Sequence, residues 1–551
     1  MPTVLKIEGD IDKEALRKSL DHIVARHEIL RTKLISKDGE GEQIVLKEAR
    51  FNLEEIGARL DEVKELLTEE IHRPFKFEKE VLCRGLLIKV LSGSEKHREH
   101  ILVLTFHHVI SDGWSVGIFN RELSQCYEKF SNNKEPDLTQ LPVQYGDYSV
   151  WQKSWLQKEV LHKQLSYWKE NLVDAQTLNL PTDRERPKEQ SHRGRIYTHH
   201  IDKETTAKLN KLSKKEGVTL YMVLLAVFNG VLSKLSNQKD IVVGTPIANR
   251  RVNEIEGLIG FFVNTLVIRT STENNPTFKE LLKRVETTTL NAYEHQDAPF
   301  EQLVERLNIP RDLSRHPLFQ VMFIFQNVGD PDKEEQWIKL GNARISHLNI
   351  EGIKVPFDLT LDAIETQEGL SIRFEYAKDL FDEITIKKIA GYYTNFLNSI
   401  LVNKNISISA IEILDNEELQ VLQSWNDTKA DYPKAKCIHQ LFEETVEINK
   451  DRIAVVYEGK QITYDEINKR SNQLAYYLRK RKIGSDVLVS ISMLRSIELI
   501  IGILGILKSG GAYVPLDSDY PEKRLNYMLE DSEADMLLTT KECRKKFNDF
   551  K

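Results

Sequence analysis

Few features of this sequence point to a secreted protein, a membrane protein or a nucleic-acid-binding protein. Its four cysteines, Cys83, Cys126, Cys437 and Cys543, lie too far apart for a metal or redox motif, as is usual in a reducing cytoplasm. The most apolar run, residues 499–507, is too short to cross a bilayer, and no signal peptide is recognisable. A formal net charge of −7 provides no general attraction to nucleic acid. We therefore expect a cytoplasmic protein without membrane or nucleic-acid partners.

Length and turn-forming residues divide the chain into several parts. A chain of 551 residues exceeds one domain and suits roughly three or four packed units. The polar stretch at residues 180–187 contains two prolines and marks a connection between two lobes. Turn-forming residues up to Pro433 mark a second connection. The sequence predicts a first lobe over residues 1–178, a second lobe over 179–418, a linker over 419–436 and a further segment over 437–551.

Helical and strand patterns alternate along both lobes, which predicts a mixed α/β fold. Helices are predicted at residues 11–25, 156–172, 205–216, 220–234 and 277–295. Strands are predicted at residues 241–245, 261–269, 318–325 and 370–377.

Two histidines and a carboxylate occur within residues 107–113, between a strand and a helix. The apolar, β-branched residues 100–106 predict a buried strand, and residues 114–130 predict a helix with one apolar face. Histidine titrates close to neutral pH, so His107 or His108 in such a loop could accept a proton from an amine or a hydroxyl. This segment is therefore the strongest candidate for chemistry in the chain.

Asp112 and Gly113 complete the same loop. Asp112 could cap the following helix through its first amides, or pair with an arginine elsewhere in the chain. Gly113 has no Cβ and would let a ligand or another backbone approach closely.

Other interpretations of the loop remain open from the residues alone. The histidine pair could be purely structural. A zinc site is disfavoured, because adjacent side chains on extended backbone point in opposite directions and no spaced cysteine or glutamate completes a ligand set. Residues 113–117 (GWSVG) also fit the G-x-S-x-G pattern of a hydrolase, with Ser115 as nucleophile. The spacing argues against this pattern, because several loop residues separate Ser115 from the end of the strand.

Five other segments accompany the histidine loop. In chain order the six segments are RHEILRT at 26–32, HHVISDG at 107–113, YGDYSVW at 145–151, IGFFVNT at 259–265, HQDAPFE at 295–301 and RDLSRHPLFQVMF at 311–323. The first five resemble the motifs RHExLRT, HHxxxDG, YxDYAVW, IGxFVNT and HQDxPFE of nonribosomal peptide synthetase condensation domains, and the sixth completes the family series. Six motifs in the family order form a much more specific match than HHxxxDG alone.

A second resemblance begins after the predicted linker. Residues 461–467 (QITYDEI) resemble the LTYxEL opening of an adenylation domain, and residues 507–517 (LKSGGAYVPLD) resemble its LKAGxAYVPLD segment. Together the two resemblances imply an α/β fold of two chloramphenicol-acetyltransferase-like lobes forming a V, followed by a partial α/β adenylation subdomain.

The resemblance also assigns roles within the histidine loop, where His108, His107, Asp112 and Gly113 are the predicted catalytic-loop residues. It makes His108 the residue that faces the reaction tunnel and positions the attacking amine or takes its proton. It implies that His107 and Asp112 hold the loop and that Arg31 forms an internal ion pair with Asp112. Gly113 would leave room for a pantetheine thioester.

The implied activity is amide-bond formation between a carrier-bound acyl or peptidyl thioester and a carrier-bound aminoacyl group. The implied partners are donor and acceptor peptidyl carrier domains and other synthetase modules. We expect the chain itself to bind no cofactor and no metal, because the phosphopantetheine belongs to the carriers.

The chain departs from the family pattern at both ends. It begins at Met1 without the SxAQxRLW-type segment that usually precedes the first strand, and it ends at Lys551 before the Gly/Ser/Thr-rich loop and lysine of adenylation. We therefore expect no amino-acid activation by residues 437–551. Two alternatives remain: an inactive or carrier-docking fragment of a synthetase, and a serine hydrolase or thioesterase that uses Ser115.

Overall fold

The computed structural model describes residues 1–91, 99–307, 312–326, 338–348 and 354–547. The chain divides into two units, Met1–Ser424 and Trp425–Lys551. Each unit has hydrophobic clusters of its own. Arg311, the first residue of the sixth motif, lies outside the described residues.

The described elements are a mixture of strands and helices. The strands are β1 (Pro2–Glu8), β2 (Thr32–Lys37), β3 (Glu40–Val45), β4 (Asn52–Ala58), β5 (Cys83–Val90), β6 (Glu99–Phe106), β7 (Gly194–Asp202), β8 (Asp240–Ile247), β9 (Asn264–Ser271), β10 (Val321–Gln326), β11 (Arg344–His347), β12 (Leu359–Thr366), β13 (Gly369–Ala377), β14 (Ile453–Tyr457), β15 (Lys460–Thr463), β16 (Leu488–Ser492), β17 (Ala512–Pro515) and β18 (Met536–Thr539). The helices are α1 (Lys13–Arg26), α2 (Leu60–His72), α3 (Gly113–Ser131), α4 (Tyr145–Trp155), α5 (Lys158–Leu172), α6 (Lys203–Glu216), α7 (Leu220–Ser236), α8 (Asn253–Glu256), α9 (Phe278–Glu294), α10 (Phe300–Arg306), α11 (Glu383–Val402), α12 (Asn416–Trp425), α13 (Ile438–Asn449), α14 (Tyr464–Lys480), α15 (Ile497–Ser509) and α16 (Glu522–Ser532).

The first lobe is built on an open sheet with the strand order β11-β1-β6-β5-β4. Its strand β6 is buried on both faces, which explains the unbroken apolar run that predicted it. Leu102 and Leu104 pack on the side of α1 and α3, and Ile101 and Val103 pack on the side of α2. The end of β6 is therefore held firmly where the histidine loop begins.

The second lobe is built on a mixed sheet with the strand order β7-β13-β12-β10-β8-β9. Strand β10 runs parallel to β8 and β12, and the remaining neighbours are antiparallel. Helix α7 is buried along most of its length because nearly every position is apolar. The helices and strands predicted for this lobe are all present, with ends shifted by a few residues.

Two elements pack in a different lobe from the one to which the sequence assigned them. Strand β11 comes from the predicted second lobe but pairs antiparallel with β1 of the first, with Leu5 opposite His347. Helix α5 comes from the predicted first lobe, yet Trp168 and Leu172 are buried in the hydrophobic cluster of the second. Both contacts join residues far apart in sequence, so local periodicity could not show them.

The second unit contains a β14–β15 hairpin and a parallel sheet with the order β17-β16-β18. Helix α15 buries Ile501 and Ile506, so the apolar run at residues 499–507 is largely an internal helix face. Helix α12 occupies the start of the segment predicted as a linker, and none of its residues is buried.

No single described helix is long and apolar enough to span a membrane. Helices α6 and α7 reach the required length and hydropathy only as a pair bent by 103°.

Candidate functional site

The histidine loop leaves β6 at Phe106, makes one short 3-10 turn over His108–Ile110, and enters α3 at Gly113. His107 faces inward from this turn. Its Nδ1 accepts a hydrogen bond from the Val109 amide (3.1 Å), so the proton of the neutral ring sits on Nε2. The rings of Phe75 and Phe77 pack edge-on against it. Burial lowers the pKa of His107, and nearby positive charge adds to this effect.

His108 differs from His107 in its exposure and in its hydrogen bonding. Its side chain is exposed, and its imidazole nitrogens have no hydrogen-bond partner within the described part of the chain. The ring of Phe261 lies 5.2 Å from it, centroid to centroid, at an angle of 87°. His108 is therefore the imidazole of this loop that is free to meet a substrate.

Asp112 is buried and acts as the N-cap of α3, one of the two roles predicted for it. Its Oδ1 accepts hydrogen bonds from the amide (2.8 Å) and the hydroxyl (2.7 Å) of Ser115. Its Oδ2 accepts hydrogen bonds from the amides of Phe262 (3.0 Å) and Val263 (3.3 Å) in the second lobe. Oδ1 thus holds the start of α3, Oδ2 joins the two lobes, and neither oxygen is free for substrate.

The predicted ion pair between Arg31 and Asp112 is wrong. The guanidinium of Arg31 pairs with Glu28 (3.1 Å), one turn earlier in the same segment. The arginine beside Asp112 is Arg250, whose Nη2 lies 3.4 Å from Oδ1 and whose side chain is 1% exposed. A partner 138 positions away in sequence meets Asp112 only because the second lobe folds over α3.

Arg250 also fixes the segment that follows β8. Its Nη1 donates to the carbonyls of Ile255 (2.6 Å) and Leu258 (2.7 Å), and its guanidinium stacks on the ring of Phe262 at 4.0 Å. Burial lowers the pKa of Arg250, and the carboxylate of Asp112 opposes that effect. The sequence offered one signal for Arg250: it lies shortly after a predicted buried strand and before the IGFFVNT segment.

Ser115 cannot serve as the nucleophile of a hydrolase in this fold. Its side chain is fully buried, and its Oγ contacts Asp112, Arg250 and both backbone groups of Gly260 at 2.7 to 3.1 Å. No histidine in the described residues reaches its hydroxyl. The G-x-S-x-G match is therefore coincidental, and the hydrolase alternative is wrong.

Gly113 lies where the loop opens to solvent. A Cβ at this position would meet no atom within 4 Å, and the backbone does not adopt the positive φ that would itself require glycine. The room predicted here for a pantetheine thioester stays a prediction.

Three of the other motif segments, those at residues 26–32, 145–151 and 259–265, meet around the same loop. His27 is buried, its Nε2 lies 2.9 Å from Glu122, and its Nδ1 lies 3.4 Å from the amide nitrogen of Ile259. Tyr145 donates its hydroxyl to the carbonyl of Phe261 (2.9 Å). Glu122 and Phe261 were not identified from the sequence as site residues, because Glu122 looks like an ordinary helix carboxylate and Phe261 fills a variable position of its motif.

The described residues contain no group of three or more His, Cys, Asp or Glu side chains arranged to hold a metal ion.

Comparisons with known proteins agree with this arrangement. Residues 1–423 match the Condensation domain family, and residues 442–550 match the AMP-binding enzyme family. A linear gramicidin synthase of Brevibacillus parabrevis is 42% identical over 548 residues, which cover 98% of this chain and 7% of that protein. Bacitracin synthase 2 of Bacillus licheniformis is 39% identical over 550 residues, which cover 100% of this chain and 20% of that protein. The chain thus spans a fifth or less of the length of these two relatives.

Two solved structures resemble the fold. A holo four-domain nonribosomal peptide synthetase bound to AMP and glycine matches with a TM-score of 0.78 at 22% identity, over 98% of this chain and 42% of that one. The X-domain from teicoplanin biosynthesis matches with a TM-score of 0.68 at 27% identity, over 75% of this chain and 93% of that one. The α/β fold class predicted from the sequence is confirmed. The chain belongs to the condensation-domain family of nonribosomal peptide synthetases and continues into the start of an AMP-binding enzyme domain.

Proposed function

We propose that the condensation unit joins a carrier-bound acyl or peptidyl thioester to the amine of a carrier-bound aminoacyl group. The observation that carries this proposal is the contrast within one loop. His107, Asp112 and Ser115 are all engaged by neighbouring protein groups, whereas His108 is exposed and without a partner among the described residues. A rigid loop that presents one unengaged imidazole suits proton transfer or amine positioning.

In the proposed reaction the amine nitrogen attacks the thioester carbonyl carbon and forms the C–N bond. An imidazole nitrogen of His108 takes the amine proton, or orients the amine, as that bond forms. The C–S bond then breaks, and the departing thiolate takes up a proton. Proton transfer by a positioned side chain contributes about 10²–10⁴-fold in rate. Holding the two reactants together supplies a further part of the acceleration.

The proposed partners are a donor and an acceptor peptidyl carrier domain, each with its own phosphopantetheine arm, and neighbouring synthetase modules. We propose that the cytoplasm is the compartment, because free cysteines such as those of this chain are typical of a reducing environment.

The test uses the full chain with donor and acceptor carrier domains of related synthetases, charged with a panel of the proteinogenic L-amino acids. Mass spectrometry of the acyl group on the acceptor carrier measures the product. We expect a dipeptidyl product with the native chain and a loss of about 10²-fold or more with His108→Ala. A fluorophosphonate probe should leave Ser115 unlabelled. Carrier binding without product across the whole panel would overturn the proposal in favour of a docking fragment.

A further inference from the structure

Phe261 lies directly against the exposed imidazole of His108. The two rings are perpendicular and 5.2 Å apart, although the residues come from different lobes. The IGxFVNT motif leaves this position open. An edge-to-face aromatic contact fixes ring orientation as well as distance.

The backbone that carries Phe261 is fixed on both sides. Its own carbonyl accepts a hydrogen bond from Tyr145 (2.9 Å), and the next amide, that of Phe262, donates to Asp112 (3.0 Å). The preceding residue, Gly260, hydrogen-bonds to Ser115 through its amide (3.1 Å) and approaches Tyr145 so closely that a Cβ there would lie 2.2 Å from the ring. The position of Phe261 is therefore set by the same contacts that hold the histidine loop.

The neighbouring side chain, that of Phe262, has different surroundings. Phe262 is buried among Tyr145 and Tyr148, with ring centroids 5.1 and 4.7 Å away. Phe261 instead contacts His108. The two adjacent phenylalanines have different environments, which provides a matched pair for experiment.

We propose that Phe261 is a positioning residue that restricts the imidazole of His108 to the orientation needed for amide-bond formation. The inference rests on the proposed function. An exposed histidine without hydrogen bonds would otherwise sample several side-chain orientations, and only a fraction of them would direct a ring nitrogen at the incoming amine. Phe261 removes those alternatives by packing rather than by hydrogen bonding, so both ring nitrogens of His108 remain available to the substrate.

The contact itself is tested by NMR of the full chain with ¹³C-labelled histidine, with the His108 signal assigned through His108→Ala. Phe261→Ala and Phe261→Leu should move the ring resonances of His108 toward random-coil values, because the aromatic ring current is lost. Phe261→Tyr should leave them in place. His107 packs on Phe75 and Phe77 instead, so its signals should not move and serve as the internal control. Unchanged His108 resonances in Phe261→Ala would overturn the inference whatever the activity.

The positioning role is tested by a double-mutant cycle in the carrier-to-carrier assay. Phe261→Ala should lower kcat about 10- to 100-fold without changing KM for the acceptor carrier or the melting temperature. Phe261→Tyr should restore kcat. In the His108→Ala background, Phe261→Ala should add less than about a 3-fold further loss, because the residue acts only through His108. Phe262→Leu should instead lower the melting temperature.

The possible failures are distinguishable. Additive losses in the cycle, or an unchanged kcat in Phe261→Ala, would overturn the positioning role while the proposed function stands. Absence of product with the native chain, together with a His108 ring-current shift that Phe261→Ala abolishes, would overturn the proposed function. The contact between Phe261 and His108 would stand, but its role in amide-bond formation would be lost.

Discussion

At the scale of single residues, the loop that presents His108 depends on the carboxylate of Asp112. Asp112→Ala removes the acceptor of four hydrogen bonds, two from Ser115 in α3 and two from the amides of residues 262 and 263. It also leaves Arg250 as a buried charge without its carboxylate. We expect the free energy of unfolding to fall by about 3–5 kcal/mol, measured by urea denaturation.

Asp61→Ala is the control for this substitution, since Asp61 lies 3.7 Å from Arg59 on the surface and is 73% exposed. A surface pair of this kind contributes about 0–1 kcal/mol. If Asp112→Ala unfolded like the native chain but had lost activity, Asp112 would belong with the catalytic groups instead.

The sequence predicted the position of this loop and the capping role of Asp112, because both depend on residues within one turn of each other. It did not predict Arg250 as the partner. Several arginines satisfy the requirement for a counter-ion, and only the docking of the second lobe selects among them. The contact between Phe261 and His108 could not be predicted either, because it too depends on the docking of the second lobe.

At the scale of elements, the packing of α7 against α11 makes a sharp prediction. Gly230 of α7 lies so close to Phe396 that an added Cβ would come within 2.3 Å of its buried ring. Gly230→Ala should lower the stability of the first unit by about 1–3 kcal/mol through overpacking. This loss would occur although the helix propensity of alanine is more favourable than that of glycine by about 1 kcal/mol.

Gly391→Ala in α11 is the matched control. A Cβ at Gly391 would meet no atom within 4 Å, so the helix propensity should act alone and raise stability by up to about 1 kcal/mol. Thermal unfolding of the two variants should therefore shift in opposite directions. Shifts of the same sign would show that the two helices are not packed as the structure has them.

Elements with strong local periodicity were predicted with nearly correct ends, as α9 shows: residues 277–295 were expected and Phe278–Glu294 are helical. Strand β11 was not predicted, since four residues carry little pattern and their pairing with β1 spans more than 330 positions. Helix α5 was predicted as a helix, but its burial in the second lobe depends on tertiary contacts.

At the scale of the whole molecule, the sequence predicted two lobes, a linker over residues 419–436 and a further segment, and the structure divides after Ser424, within that linker. The family resemblances gave a more specific prediction than composition did. Six motifs follow the order of the condensation family, and the two later segments resemble the adenylation family. The exchange of β11 and α5 explains why the two predicted lobes behave as one unit. Neither lobe holds all the residues that its own core requires.

The condensation unit should lose stability on mild acidification, because several of its histidines have a lowered pKa. Burial is the first cause in each case, and the residues are His22, His100, His107, His199, His316 and His347. In the unfolded chain a histidine titrates near pH 6.5. Between that value and the lower folded pKa, the unfolded chain binds more protons, so the free energy of unfolding rises with pH in this interval. The stability from these groups is therefore fully present above about pH 6.5 and declines as the pH falls below it.

Urea denaturation of the full chain at a series of pH values from 7.5 to 5 measures this dependence. The fluorescence of the tryptophans in the condensation unit identifies the unfolding transition of that unit. His316→Phe provides the matched control, because His316 packs among Phe300, Phe319 and Phe357 and a phenyl ring can occupy the same aromatic site. The variant should show a shallower decline with falling pH, since up to one fewer proton is taken up on unfolding. A free energy of unfolding that stays constant or rises on acidification would mean that these imidazoles are not buried in the folded chain.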